Sequence, residues 1–459
     1  MVELENGVFM EQVEDLSRKK LWPDVRDMLL LLEPADIAAI LAEVSVDRLP
    51  LLYRLLPKEL AAEVFVEMEA EEQELLIKGF SDTELKEVLD ELYVDDTVDL
   101  IEEMPATVVK RILKHTDPET RKSVNEILNY PEDSAGSIMT TEFVDLKRDM
   151  TVEDALKRIR RTGVDKETIN ICYVTDPSRH LLGLVSIRTL LLADEDDVIE
   201  EIMETNYISA STMDDREDVA QGLKKYDFLA LPVVDKESRL VGIVTIDDAI
   251  DVMEEEATED FELMAGMSPS DKPYLRTGVV ETVKSRIPWL LLLMLSATFT
   301  GIVIASFEDK LAVCSVLIGF IPMLMGTGGN CGNQSSVAVI RGLSLDEIDF
   351  DDIFRVAWKE ARVAVVCGGL LSGANFVKLI LVDRWLMGNS EVTVMVALAI
   401  CLTLVCTVFC AKVVGAMLPL LAERVGLDPA VLAAPFISTI VDVLSLLIYF
   451  RFASLLLGL

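Results

Sequence analysis

Two groups of residues in this 459-residue chain have types and spacings suited to cations. The first is an acidic run, DDAIDVMEEEATEDFELMAG (247–266), with five glutamates and four aspartates between Asp247 and Glu262. In a helix, Asp248, Asp251, Glu255 and Glu259 would share one face, and like charges so spaced repel by roughly 0.2–0.5 kcal/mol per pair. A bound cation would offset that repulsion. The second group lies in apolar sequence. Asp442 stands alone in FISTIVDVLSLLIYF (436–450), and MGTGGNCGNQSS (325–336) carries Asn330, Asn333 and Gln334 among four glycines. An aspartate at the centre of a membrane helix costs about 2.5 kcal/mol or more to insert, and such residues normally face a cavity. The glycine-rich stretch reads as a break inside a span, tolerable where backbone borders water rather than lipid. Its amides, freed carbonyls and the Asp442 carboxylate could then face a hydrated ion.

The elements that carry these groups fall into two halves. Hydrophobic residues make up 51% of the chain, yet its net charge is −37. Residues 271–459 hold 14 of the 42 basic and 15 of the 79 acidic residues, leaving 28 basic and 64 acidic residues in the first 270. An acidic, water-soluble half therefore precedes an apolar, charge-balanced one. Such an acidic half is a poor partner for nucleic acid or anionic lipid heads. Six of the seven cysteines lie in the apolar half with no CxxC pair, which suits small core residues rather than disulfides or zinc ligands. The N-terminal sequence lacks the apolar core of a signal peptide.

Five stretches in the apolar half are long enough to span a bilayer: 287–307, 311–341, 361–382, 392–421 and 431–457. Lys284 and Arg286 precede the first, and Arg341, Arg355, Lys359 and Arg362 lie between the second and third. The positive-inside rule places both clusters in the cytosol, the N-terminus inside and the C-terminus outside. Lys378 and Lys412, nearer the ends of their spans, are expected to snorkel. Five helices make a thin wall around a path, which favours a pore on the axis of a homodimer in a multi-pass cell-membrane protein.

The soluble half carries two repeats. PADIAAIL, PKELAAEV, DTELKEVL and PATVVKRI begin at Pro34, Pro57, Asp82 and Pro105, each with a good helix starter. Short helices at this period predict an α-solenoid over 1–130. ICYVTDPSRHLLGLVSIRTLL (171–191) is then echoed by ALPVVDKESRLVGIVTIDDAI (230–250), and SIMTTEF at 137 by EIMETNY at 201. This duplication resembles a tandem pair of CBS domains, α/β modules placed at about 137–198 and 199–248 of a 131–248 region. CBS pairs often bind adenine nucleotides such as ATP through G-x-x-T-x-x-D. Only the second copy has it, as Gly242, Thr245 and Asp248; the first has Ser186 and Thr189 without the aspartate. An acidic connecting helix and linker (249–284) and an all-α membrane domain (285–459) complete the multidomain chain.

This order of domains resembles the MgtE family of magnesium channels. The most specific motifs are GTGGNCGNQ (326–334), EEEATED (254–260) and DPAVLAAPFISTIVD (428–442). The resemblance implies a homodimer whose pore is lined by the second and fifth spans. In it Asp442 would hold hydrated magnesium, with Asn330 and Asn333 as the polar motif of the second span. It also implies cytosolic magnesium sensors at Asp95 and Asp99 in DDTVD, at Glu217 and Asp227, and at Asp248, Asp251, Glu256, Glu259 and Asp260. Cys331 stands where relatives often carry threonine. Magnesium demands octahedral oxygen geometry and sheds water reluctantly, so one carboxylate with amide and carbonyl oxygens suits its passage, whereas a dry carboxylate cage would trap it. Magnesium bridging the soluble carboxylates would compact that half and close the pore.

Competing expectations are a transporter of another divalent cation such as cobalt, a CBS-regulated anion transporter, and a nucleotide-sensing scaffold with a passive anchor. The intramembrane carboxylate argues against the last two. An enzyme is not expected: the only histidines, His115 and His180, lie in polar turns suited to surface residues.

Overall fold

The computed structural model describes residues 9, 12–13, 15–270, 274, 277–308, 312, 314–345, 347–432 and 434–458. They form two units, 1–253 and 254–459.

The first unit opens with paired short helices: α1 (Trp22–Leu29), α2 (Pro34–Ala42), α3 (Leu49–Tyr53), α4 (Lys58–Val66), α5 (Ala70–Gly79), α6 (Asp82–Leu89), α7 (Val94–Glu103), α8 (Ala106–His115) and α9 (Pro118–Ile127). The repeated prolines do start helices: Pro34 is the first residue of α2, while Pro57 and Pro105 cap α4 and α8. Ser81 caps α6 in a reciprocal pairing with Glu84. Helices α2, α4, α6 and α8 stack in sequence, and α3 on α5 and α7 on α9 form the second row. This is the solenoid that the repeat predicts.

The duplicated segment builds two sheets of identical topology. In the first, β1 (Val144–Leu146) pairs parallel to β2 (Ile171–Thr175), which pairs antiparallel to β3 (Leu181–Ser186). In the second, β4 (Ala210–Ser211), β5 (Ala230–Val234) and β6 (Leu240–Thr245) repeat the pattern, with a bulge at the same position. Helices α10 (Val152–Thr162), α11 (Ile187–Leu192) and α12 (Ile199–Ile202) accompany the first sheet and α13 (Arg216–Tyr226) the second. The copies exchange arms. Thr140, in the lead-in of the first copy, pairs with Ile243 of the second sheet, and Glu204, in the lead-in of the second, pairs with Leu184 of the first. Gly183 and Gly242 permit this, since a Cβ on either would lie 2.8 Å from the carbonyl oxygen of the arm crossing it. One core runs from the solenoid into the second copy, and the first copy has its own.

Helix α14 (Ile246–Met264) contains the acidic run in a single helix. The second unit continues with α15 (Val279–Ala305), α16 (Ile321–Ser344), α17 (Ile353–Lys378), α18 (Val394–Arg424) and α19 (Ala434–Leu457); α17 runs on into a π-helical segment, Leu379–Leu386. Four of the five long helices are apolar enough to cross a membrane by composition, and α16 is not. Its 24 residues nevertheless span a bilayer's hydrocarbon at 1.5 Å per residue.

The expected break at 325–336 is absent: α16 is helical throughout. The reason is packing. In lipid, backbone groups are best satisfied within a helix, and small residues let helices approach closely. A Cβ on Gly328 would meet Thr407 Cγ2 and Val441 Cγ1 at 2.8 Å, and one on Gly332 would meet Ile437 Cγ2 at 2.7 Å. The glycines form the surface on which α18 and α19 lie. Helix α18 is central, packing against α16, α17 and α19, whereas α15 touches chiefly α19.

Candidate cation sites

The N-terminus of α7 gathers carboxylates from three parts of the first unit. Asp95 is 7% exposed, and its Oδ1 accepts from the Asp96 amide. Glu142 reaches back to accept from the Val94 amide at 2.9 Å, satisfying an end-of-helix donor. From the start of α14, Asp248 accepts a hydrogen bond from the Thr245 hydroxyl. Burial, reinforced by Asp248 and Asp96, holds Asp95 well above the usual carboxylate range. Burial likewise raises Asp248 and pushes Asp96 to about 6. Asp99, at the rim, is pushed to about 8 by surrounding protein and then by Asp248 and Asp96. Glu167 is raised to about 8 by burial and then by Asp96, Asp247 and Asp248, and its Oε2 is buried without a hydrogen-bond partner.

Asp95, Asp99 and Asp248 therefore share one electrostatic neighbourhood. The sequence reading missed Asp96, Glu142, Glu167 and Asp247 within it, because no spacing rule links residues 95, 142, 167 and 247. Their common signal is that each is acidic and stands beside an element end. As placed, among the described residues, no three carboxylates, histidines or cysteines converge as ligands of one ion. The cluster is a field of carboxylates, raised by burial and by one another, that a multivalent cation could draw together.

Glu217 and Asp227 do not meet: they stand at the first turn and the C-cap of α13, with Asp227 in the left-handed conformation. Asp251 is exposed on α14. Farther along that helix, Glu256, Glu259 and Asp260 form a second neighbourhood with Asp428, which the sequence reading also missed. Burial first, then Asp428, Glu256 and Glu259, push Asp260 to about 6. Asp428 accepts from the Ala430 amide at 2.7 Å, just before α19.

In the membrane half, Asp442 is half-buried on α19 and has no hydrogen bond or ion pair among the described residues. Asn330 is exposed on α16; Asn333 is half-buried, with its Oδ1 buried and unpartnered. Ser438, one turn before Asp442, contacts the Gly329 position at 3.6 Å. Lys378 pairs with Asp383 at 2.9 Å and remains half-exposed. Lys412 does not snorkel: it is 6% exposed, and its ammonium lies 3.7 Å from Glu360. More than three turns of helix on either side leave it too deep to reach an interface. His115 is likewise no surface residue; it is half-buried, with Nε2 3.5 Å from Asp82.

The nucleotide candidates lie in closed surroundings. Met139 and Thr140 cover Gly242, Thr245 is 4% exposed, and Asp248 belongs to the acidic cluster. A cavity of about 290 Å³ lies instead at the corresponding place in the first copy. Ser186, Thr189 and Glu204 supply its polar lining, and Leu184, Phe228 and Pro232 part of its apolar wall.

Known proteins share this arrangement. Residues 321–452 match the MgtE family described as a divalent cation transporter, 32–133 the MgtE intracellular N domain, and 135–196 and 199–255 CBS domains. The magnesium transporter MgtE of Thermus thermophilus is 39% identical over 437 residues, covering 94% of this chain and 95% of that protein. That of Bacillus subtilis is 34% identical over 431 residues, covering 94% and 93%. Among solved structures, the cytosolic domain of the Mg2+ channel MgtE in complex with ATP superposes with a TM-score of 0.51 at 37% identity, over 53% of this chain and 99% of that one. With the N domain, CBS pair and transporter domain matched in order, and this identity along nearly its full length, the chain belongs to the MgtE family of magnesium transporters.

Proposed function

We propose that this protein conducts magnesium ions across a membrane and that magnesium bound to its acidic half closes it. The observation that carries the conducting role is Asp442, a half-buried carboxylate on a membrane-spanning helix with no hydrogen bond or ion pair among the described residues. A charge so placed is retained for an ion. Asn330 and Gln334 are exposed on one face of α16, a polar surface that suits a water-filled path against a second copy. This supports a homodimer with the path between α16 and α19 of the two chains. Magnesium would pass largely hydrated, its water shell held by Asp442, Asn330 and Asn333.

Closure follows from the two acidic neighbourhoods. Without divalent ions, the carboxylates around Asp95, Asp99 and Asp248 either keep protons or repel. Magnesium replaces those protons and draws the solenoid onto the CBS pair. Ions at Glu256, Glu259, Asp260 and Asp428 would fix α14 against the start of α19. Glu217, Asp227 and Asp251 would contribute to separate outer sites. The basic residues from Lys284 to Arg362 support a cytosolic acidic half and an external C-terminus.

The relative bound to ATP also makes an adenine nucleotide a reasonable ligand here. The first-copy cavity offers apolar walls for a base and hydroxyls for a sugar, with Thr189 in place of the signature carboxylate.

Uptake of magnesium, cobalt, sodium and chloride into proteoliposomes, with and without internal magnesium, tests the reading. Magnesium entry that internal magnesium suppresses is expected. Chloride movement, or magnesium entry indifferent to internal magnesium, would overturn the corresponding half of it.

A further inference from the structure

A buried ion pair lies in the membrane half, and the proposed path at Asp442 does not call for it. Ser335 Oγ on α16 donates to Glu360 Oε2 on α17 at 2.6 Å, and Lys412 Nζ on α18 donates to Ser335 Oγ at 3.2 Å. The Lys412 and Glu360 side chains are only 7% and 13% exposed. A buried ion pair is weak as a source of stability, since well-packed apolar residues of similar volume often do as well or better. Its position suggests another use. Gly332, one turn before Ser335, lies against Ala411 O and Val441 Cγ2, with a Cβ there 3.3 and 3.4 Å away. Ala411 and Val441 immediately precede Lys412 and Asp442. The two charged residues therefore leave α18 and α19 at the same level, on helices that share Gly332 as a neighbour.

The ammonium, held at Ser335 one turn along α16 from that level, opposes a cation at Asp442, because charges interact over about 10 Å when little water intervenes. We propose that Glu360, acting through Ser335, neutralises Lys412 and so preserves the attraction of the Asp442 region for divalent cations. Glu360 and Lys412 are positioning residues that set the charge of the path without touching the ion. This rests on the transport reading.

The pair acts by charge, so its two single variants act in opposite directions. Glu360→Gln strands the ammonium; Lys412→Met strands the carboxylate. In full-length protein in proteoliposomes near pH 6, Glu360→Gln should raise the half-saturating magnesium concentration about tenfold, and Lys412→Met should lower it by about threefold. The double variant, with no charge left, should return to within about twofold of the wild type. Shifts in the same direction for both singles, or a double no better than the worse single, would mean that the pair only holds the helices, and the proposal falls. If Glu360→Gln does not fold, Lys412→Met and the double variant still decide. Absence of magnesium flux in the wild type would count against the transport reading instead.

Discussion

A Cβ placed on Gly415 of α18 would lie 2.9 Å from the carbonyl carbon of Gly332 on α16. No side chain fits between these two backbones. Gly415→Ala must push α16 away from α18, at a cost of about 1–3 kcal/mol for an overpacked contact. Thermal denaturation of the detergent-solubilised protein should show a lowered midpoint. Gly373→Ala is the control, with no atom within 4 Å of its added Cβ, and should be neutral or slightly stabilising.

Asp442→Asn should abolish magnesium uptake while leaving the protein folded. The carboxylate has no partner among the described residues whose loss would unsettle the helices. Flux and gel-filtration profiles measured on one preparation separate the outcomes. Retained flux would remove Asp442 from the path.

The raised carboxylates predict an unusual pH dependence. A carboxylate whose folded pKa exceeds its unfolded value binds more protons in the folded state, so stability falls as pH rises through that interval. For Glu167 and Asp99, the interval runs from about pH 4 to about pH 8. Without divalent ions, the first unit should melt at progressively lower temperature across it. Millimolar magnesium should flatten the slope and release protons on binding, which calorimetry in buffers of different ionisation enthalpy would detect. A melting temperature that rises with pH would contradict the cluster.

Neutralising Asp248, Asp251 and Glu259 together should leave the channel open at high internal magnesium in patch recordings. Normal closure would show that the sensor lies elsewhere. Glu167→Gln, which removes one carboxylate from the cluster, should raise the magnesium concentration needed to close by a few-fold, roughly one weak ligand's share.

Adenine nucleotide binding should follow the first-copy cavity and not the signature motif. Leu184→Trp, which fills the cavity, should abolish ATP binding measured by calorimetry, while Asp248→Asn should leave it within about threefold. The reverse pattern would return the site to Gly242, Thr245 and Asp248.

Local pattern alone determined much of this protein. Proline and aspartate at a steady period set the solenoid, because helix starts are written within one turn. The echo between 171–191 and 230–250 set two sheets of one topology, since β-alternation and turn residues act over a few positions. Length and hydropathy set four of the spans, while α16 is too polar by composition and qualifies by its length. What depends on residues far apart in sequence was decided only by the fold. The arm exchange at Gly183 and Gly242 is invisible in an echo that maps each copy onto itself. Glu142 and Glu167 join Asp95 through a contact that no spacing encodes. The glycines of α16 look like a helix break because propensity describes isolated segments; packed on α18 and α19, where lipid offers backbone no alternative partner, the same glycines keep the helix intact. Lys412 looks like a snorkelling residue until Glu360 and Ser335, 52 and 77 positions away, close around it. Burial and charge balance are sums over neighbours, and the neighbours are supplied by tertiary structure.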